Sequence, residues 1–292
     1  MQMRRILAGA WGYATGLIAV VCLSGAALAM QIDVTSVPKL GTTNRLANSD
    51  FEQGVSGPFN WGFSTARPDL LSAQWSEEAL HGQKSVSVKA TSGEMSGYWA
   101  QRAVAVEPNE SLLLSAWVKM GGGRVLMYVI GYDGRVSPPK QVYNDRRLYL
   151  SAAADHPLYP VFVKAELLKG LVGPNWQRQR LFFQNSADAT QANVSLGLYF
   201  FGSAPGEVWF DRAYFGVPWV ELSVEVTADD QANDIQRIEV LDDGGQSVYD
   251  TGVLTVGTRS WTHRLRVAAD AEYYTIVVTD AEGRARKERY PQ

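Results

Sequence analysis

An all-β protein, an N-terminal jelly-roll β-sandwich followed by a C-terminal immunoglobulin-like β-sandwich, is the fold class predicted by this chain of 292 residues. Apolar residues alternate at period two from Ser85 onward, and no long stretch shows helical spacing. Short alternating runs are separated by Gly, Pro and Asp turn signals, the signature of a sandwich. Near Gly216 to Trp219 the stretch "FGVPW" breaks the pattern, and a second self-contained set of runs begins beyond it.

The chain starts with Arg4 and Arg5, then an apolar run that ends in Ala27, Leu28 and Ala29. That order predicts a signal peptide over residues 1–29, cleaved after Ala29, and hence a secreted or periplasmic protein. The run is shorter than the ~20 residues of a membrane span, and no second one follows, so no membrane span is expected. Cys22, the single cysteine, lies in this segment, so disulfides, thiol nucleophiles and thiolate zinc sites are excluded from the remainder.

Residues 30–45 read as an N-terminal linker, 46–216 as the first sandwich and 217–292 as the second. In the first, "SVSVKA", "SLLLSAWVKM", "RVLMYVIGY", "QRQRLFFQ", "NVSLGLYFFG" and "EVWFDRAYF" are candidate strands. Residues 133–175 are the least regular part, an elaborated connection with short strands around "RLYLSA" and "PVFVKAEL". In the second, "VELSVEV" sets Val220, Leu222, Val224 and Val226 against Glu221, Ser223 and Glu225, and "IQRIEVL", "SWTHRLRV" and "YYTIVVT" follow. The formal net charge is −3 with acids and bases interspersed, which gives no sign of a nucleic-acid partner.

Over residues 46 to 216 the pieces "LANSDFEQG", "FNWGF", "HGQKSVSVKA", "YWAQRAVAVEPNESLLLSAWVKM", "NWQRQRLFF" and "GEVWFDRAYF" occur in the order found in one family. In these pieces the chain resembles carbohydrate-binding modules with a galactose-binding-like jelly roll, the type appended to cellulose- and xylan-degrading enzymes. The resemblance implies a carbohydrate ligand. It also implies a structural calcium ion held by Glu52, Asp211 and the backbone around Lys84, with Asp50 as a further donor; calcium takes six to eight hard oxygens. Arg212 departs from the pattern, since many relatives carry an acid there. The alternative is that Glu52 and Asp211 satisfy turn amides or pair with Arg212 or Lys84.

Sugar recognition calls for flat aromatic surfaces with polar groups beside them. Trp61 and Trp75 fall in a loop-like region, where binding residues concentrate, and Trp99 is a third stacking candidate. Trp117, Trp176 and Trp209 fit scaffold positions, Trp219 the domain boundary and Trp261 the second core. Strand parity groups Tyr128, Tyr132 and Arg178, with Arg180 and Tyr199, on one face. That face is either a sugar cleft, a second packed sheet face or the domain interface.

His81, His156 and His263 are isolated, and neither HExxH nor GxSxG occurs. A glycoside hydrolase needs only two carboxylates about 5–9.5 Å apart, and Glu94, Asp133, Glu166 and Glu207 are available. Noncatalytic carbohydrate binding is the favoured function. A structural or protein-interaction scaffold and a glycoside hydrolase are the alternatives. The C-terminal unit, which resembles an accessory sandwich of some secreted metallohydrolases, would be a spacer or would dock a partner enzyme or a cell-surface protein.

Overall fold

The computed structural model describes residues 30–91, 96–151, 168–171, 174–198, 206–229 and 234–291; the expected signal peptide lies outside them. The described elements are all strands. In chain order they are β1 (Met30–Val37), β2 (Gly62–Thr65), β3 (Leu71–Ser76), β4 (Ser85–Ala90), β5 (Gly97–Ala105), β6 (Ser111–Met120), β7 (Arg124–Asp133), β8 (Lys140–Ser151) and β9 (Leu168–Leu171). They continue as β10 (Gln177–Gln184), β11 (Gln191–Leu198), β12 (Gly206–Gly216), β13 (Trp219–Ala228), β14 (Ile235–Asp242), β15 (Ser247–Asp250), β16 (Ser260–Ala268), β17 (Tyr274–Asp280) and β18 (Ala285–Tyr290).

The first sandwich stacks a five-stranded sheet, β10-β6-β12-β4-β3, on a six-stranded one, β2-β5-β11-β7-β8-β9. Consecutive strands cross between the sheets, β4 to β5, β6 to β7 and β10 to β11 to β12, which is jelly-roll connectivity. Alternation explains the core: Leu112, Leu114, Ala116 and Val118 of β6 meet Val125, Met127 and Val129 of β7, all fully buried. The second sandwich stacks β1-β13-β16 on β15-β14-β17-β18 around Leu222, Val224, Ile238, Val240, Ile276 and Val278.

Two expectations are corrected. Residues 30–37 are not linker: β1 pairs with β13 from Met30 opposite Ala228 to Val37 opposite Glu221. Met30 and Ile32 are thereby buried in the second core, so the segment preceding the first sandwich completes the second. The connection after residue 133 is more regular than expected. β8 begins at Lys140, where register shifts against β7 between Val129 and Tyr132 mask its alternation in the sequence. The expected strand "PVFVKAEL" lies outside the described residues.

The second sandwich packs on the β10, β6 and β12 side of the five-stranded sheet's outer face. Leu113 of β6 and Tyr214 of β12 belong to the second core cluster, and the Tyr214 hydroxyl donates to the Val217 carbonyl at 2.7 Å. Charge completes the seam: Arg178 with Asp243 at 2.6 Å, Arg180 with Asp270 at 2.8 Å, and Arg212 with Glu272.

Candidate functional site

Of the two outer faces of the first sandwich, the one on β10, β6 and β12 is closed by the second sandwich. The second sandwich does not reach the outer face of the six-stranded sheet, where Arg124, Leu126 and Ser195 are nonetheless buried. Its floor is set by β11, whose Ser195 lies between Ala100 of β5 and Tyr128 of β7, while Gly197 lies between Tyr98 and Leu126. A Cβ on Gly197 would stand 2.1 Å from the Gly97 carbonyl oxygen and 2.8 Å from the Tyr98 Cβ, so only glycine lets β5 and its tyrosine close over this position. Tyr98 meets Tyr128 edge to face, centroids 5.1 Å apart at 82°. The pair forms an aromatic platform across three strands.

Polar groups surround it. The Tyr128 hydroxyl is within hydrogen-bonding reach of Ser195 and Tyr98, and burial pushes its pKa well above the ordinary tyrosine value, which keeps it a donor. Tyr132 is half-buried on the same face, between Gln191 and Gln141. Beside Tyr128 on β8 stands Arg147, which donates to the Asn144 carbonyl at 2.7 Å and the Tyr149 hydroxyl at 3.2 Å. Near the β2–β5 edge a cleft is lined by Asn60, Gly62, Ala100 and Arg102.

Four expected sugar contacts are elsewhere. Trp61 is buried, 5.1 Å from Phe51, and its indole N–H donates to the Asn48 carbonyl at 3.1 Å. Trp99 is buried against Phe63 and donates to the Ser87 carbonyl at 3.0 Å. Trp75, on edge strand β3, packs on the same core and donates to the Phe51 carbonyl at 2.7 Å. Each indole nitrogen has found a backbone acceptor and each ring a core contact, so these are scaffold residues. Arg178 stands opposite Trp117 on the five-stranded sheet, its guanidinium 4.6 Å over that ring and locked on Asp243. It belongs to the domain interface, the other reading of its face. Tyr98 was not anticipated; its signal was the Tyr98-Trp99 alternation, one ring outward and one inward.

Glu52 and Asp211 grip one turn. Glu52 Oε1 accepts from the Gln83 and Lys84 amides at 2.8 Å each, over Gly82, where a Cβ would lie 2.2 Å from the same oxygen. Asp211 Oδ2 accepts from the Leu80 and His81 amides at 2.9 and 3.0 Å. Its Oδ1 accepts from the Arg212 amide at 2.7 Å. Burial outweighs these bonds and pushes Asp211 up to about 6. Carboxylate oxygens are the hard donors that calcium takes, but the groups facing these two are amide N–H donors. Lys84 enters through its N–H rather than its carbonyl, and among the described residues no three His, Cys, Asp or Glu side chains cluster.

Of the carboxylates considered for hydrolysis, Asp133 pairs with Arg135 at 2.7 Å on the six-stranded sheet. Glu207, on the five-stranded sheet, accepts from Ser87 at 3.3 Å and pairs with Lys89 at 3.6 Å. Glu94 and Glu166 lie outside the described residues, as do His156 and Tyr199.

No protein-family model matches the chain, and no curated protein does. Among solved structures it is similar to β-sandwich carbohydrate-binding modules. A family 61 module in complex with β-1,4-galactotriose is 15% identical, with 59% of this chain and 97% of that chain covered and a TM-score of 0.35. The C-terminal family 22 module of Clostridium thermocellum Xyn10B is 16% identical, covering 61% and 94%, with a TM-score of 0.35. The enzymatically active domain of bacteriophage CBA120 tailspike protein 4 is 14% identical with a TM-score of 0.44. The match covers 60% of this chain but only 21% of the tailspike chain. At these scores the likeness carries nothing about the ligand of this chain.

Proposed function

We propose that this is an exported protein that binds carbohydrate without cleaving it, on the outer face of the six-stranded sheet. The observation that carries the reading is the Tyr98–Tyr128 platform, laid over Gly197 on a sheet face that the second sandwich does not contact. A pyranose ring can set its C–H groups against such rings, while tyrosine hydroxyls and amide side chains fix its hydroxyls. Tyr132, Asn193 and Gln191 supply those polar groups without charge.

A noncatalytic role is supported by the described carboxylates. Asp133 and Glu207 stand on different sheets, and each is already paired with a base. A calcium ion at Glu52, Asp211 and the Lys84 backbone is proposed as a structural tie, with no part in ligand contact. The second sandwich is proposed to dock a partner enzyme or a cell-surface protein.

The test is a glycan-array and affinity-electrophoresis screen of residues 30–292, with each retained polysaccharide assayed for new reducing ends. Retention without cleavage is expected. New reducing ends would replace the reading with a hydrolase, and failure to retain any glycan would leave the interaction scaffold.

A further inference from the structure

We infer a second saccharide contact on this protein, at the seam between the two sandwiches, where Phe182 and Trp219 form an exposed stack that takes an uncharged sugar ring. The inference goes beyond the sheet-face site and rests on the carbohydrate reading above only for the class of its ligand.

The first observation is the stack itself. Phe182 of β10 and Trp219 at the start of β13 lie nearly parallel, at an interplanar angle of 15° with centroids 5.4 Å apart, one ring from each sandwich. They remain 47% and 38% exposed. A single exposed apolar residue is ordinary, but two large rings joined into one patch mark an interaction surface. Strand parity puts them there. Leu181 and Phe183 pack on the first core, which turns Phe182 to the opposite side, and its register partner Leu113 belongs to the second core. On β13 the same parity buries Val220 and leaves Trp219 outside. The Arg266 guanidinium stands 5.2 Å over the Trp219 ring. The platform is thus held in place before a ligand arrives, and little side-chain freedom is left to lose.

The second observation is the cleft beside the stack. Trp219 shares a cleft of about 420 Å³ with Glu110 and Ser111 of the first sandwich and Glu221 and Arg266 of the second, a volume in the range of small-ligand sites. An apolar partner would strip water from these charged groups without replacing its hydrogen bonds. A sugar replaces them, its hydroxyls donating to the carboxylates and accepting from the guanidinium while its C–H face lies on the rings. Acids and bases are intermixed around the cleft, so no single sign of charge selects an ionic ligand. Glu110 already pairs with Arg45, and Glu221 with Arg264 at 3.6 Å. Sugar hydroxyls compete with those pairs, which makes this the weaker of the two contacts.

The experiment titrates residues 30–292 with the β-1,4-linked hexaoses of glucose, xylose and galactose, following the heat of binding and the tryptophan indole N–H resonances. The Trp219 resonance, assigned by its loss in Trp219→Phe, is expected to shift with at least one hexaose. It should shift equally in a variant carrying both Tyr98→Ala and Tyr128→Ala, where the sheet-face site is gone. Phe182→Ala should weaken this titration about fivefold or more at an unchanged melting temperature. Binding of a hexaose with the Trp219 resonance unmoved would overturn the seam contact and leave the sheet-face site standing. A resonance that moves with protein concentration instead of hexaose would overturn it in favour of a second copy of this chain. If none of the three hexaoses binds the parent, the seam contact is overturned, and the sheet-face reading stands or falls with the glycan-array screen.

Discussion

Arg178 of the first sandwich and Asp243 of the second form an ion pair at 2.6 Å, with side chains only 9% and 2% exposed. Asp270 stands 4.0 Å away on the same guanidinium and also holds Arg180. Removing one partner of a buried pair leaves the other charge uncompensated, at a cost of about 3–5 kcal/mol. Arg178→Ala is therefore expected to lower the unfolding midpoint in denaturant while leaving glycan affinity intact. A fall in affinity at unchanged stability would return Arg178 to the sugar site.

Strand β1 makes the second sandwich depend on residues that come before the first. Deleting residues 30–37 removes a full edge strand together with buried Met30 and Ile32, each worth about 1.5–3 kcal/mol of burial. Calorimetry should show the second sandwich melting earlier than in the parent, and a segment of residues 217–292 should give poorly dispersed amide resonances. An unchanged thermogram would contradict this dependence.

The tryptophans separate stability from binding. Trp61→Ala and Trp99→Ala empty core positions, where such truncations cost about 3–5 kcal/mol. Variants that stay folded should keep their glycan affinity. Urea titration paired with calorimetry would show the two effects apart.

Acid titration should expose one surface clamp in the second sandwich. The Arg237 guanidinium, with the Gly252 amide, holds the Asp250 carboxyl down to about 2. A depressed folded-state value means that the native state favours ionised Asp250. Its stabilisation is present above the ordinary value near 3.8 and is lost as pH falls toward 2. The Asp250 carboxyl resonance should titrate near 2 in the parent and move toward the ordinary value in Arg237→Ala.

Calcium is tested by its removal. A ligand bound only by the native state stabilises by mass action, so EDTA is expected to lower the melting temperature of the parent and to have no effect on Glu52→Ala. Identical melting curves with EDTA and with added calcium would leave Glu52 and Asp211 as amide acceptors for the Leu80–Lys84 turn, which their four bonds to its amides already make them.

Much of the fold was legible because period-two alternation is local. "VELSVEV" buries Val220, Leu222, Val224 and Val226 as its pattern indicates. What the sequence hides is which sheet a strand joins. The outward parity of Arg178 was readable, but not that β10 pairs with β6, under the second sandwich, rather than beside β7. The tryptophans misled for a related reason: a loop-like setting marks Trp61 as available, and only the tertiary structure gives its N–H the Asn48 carbonyl. β1 looks like linker in the sequence because its partner strand lies some 190 residues further along. Tyr98 gains meaning only once Gly197 is known to lie opposite.

The most direct test of the account is the affinity of Tyr98→Ala and Tyr128→Ala for whichever glycan the screen retains, measured by calorimetry beside their melting temperatures. Each variant is expected to lose about fivefold or more in affinity, in line with aromatic contacts worth ~1 kcal/mol or more, and still to melt cooperatively. Unchanged affinity in both variants would contradict it and move the binding site off this face.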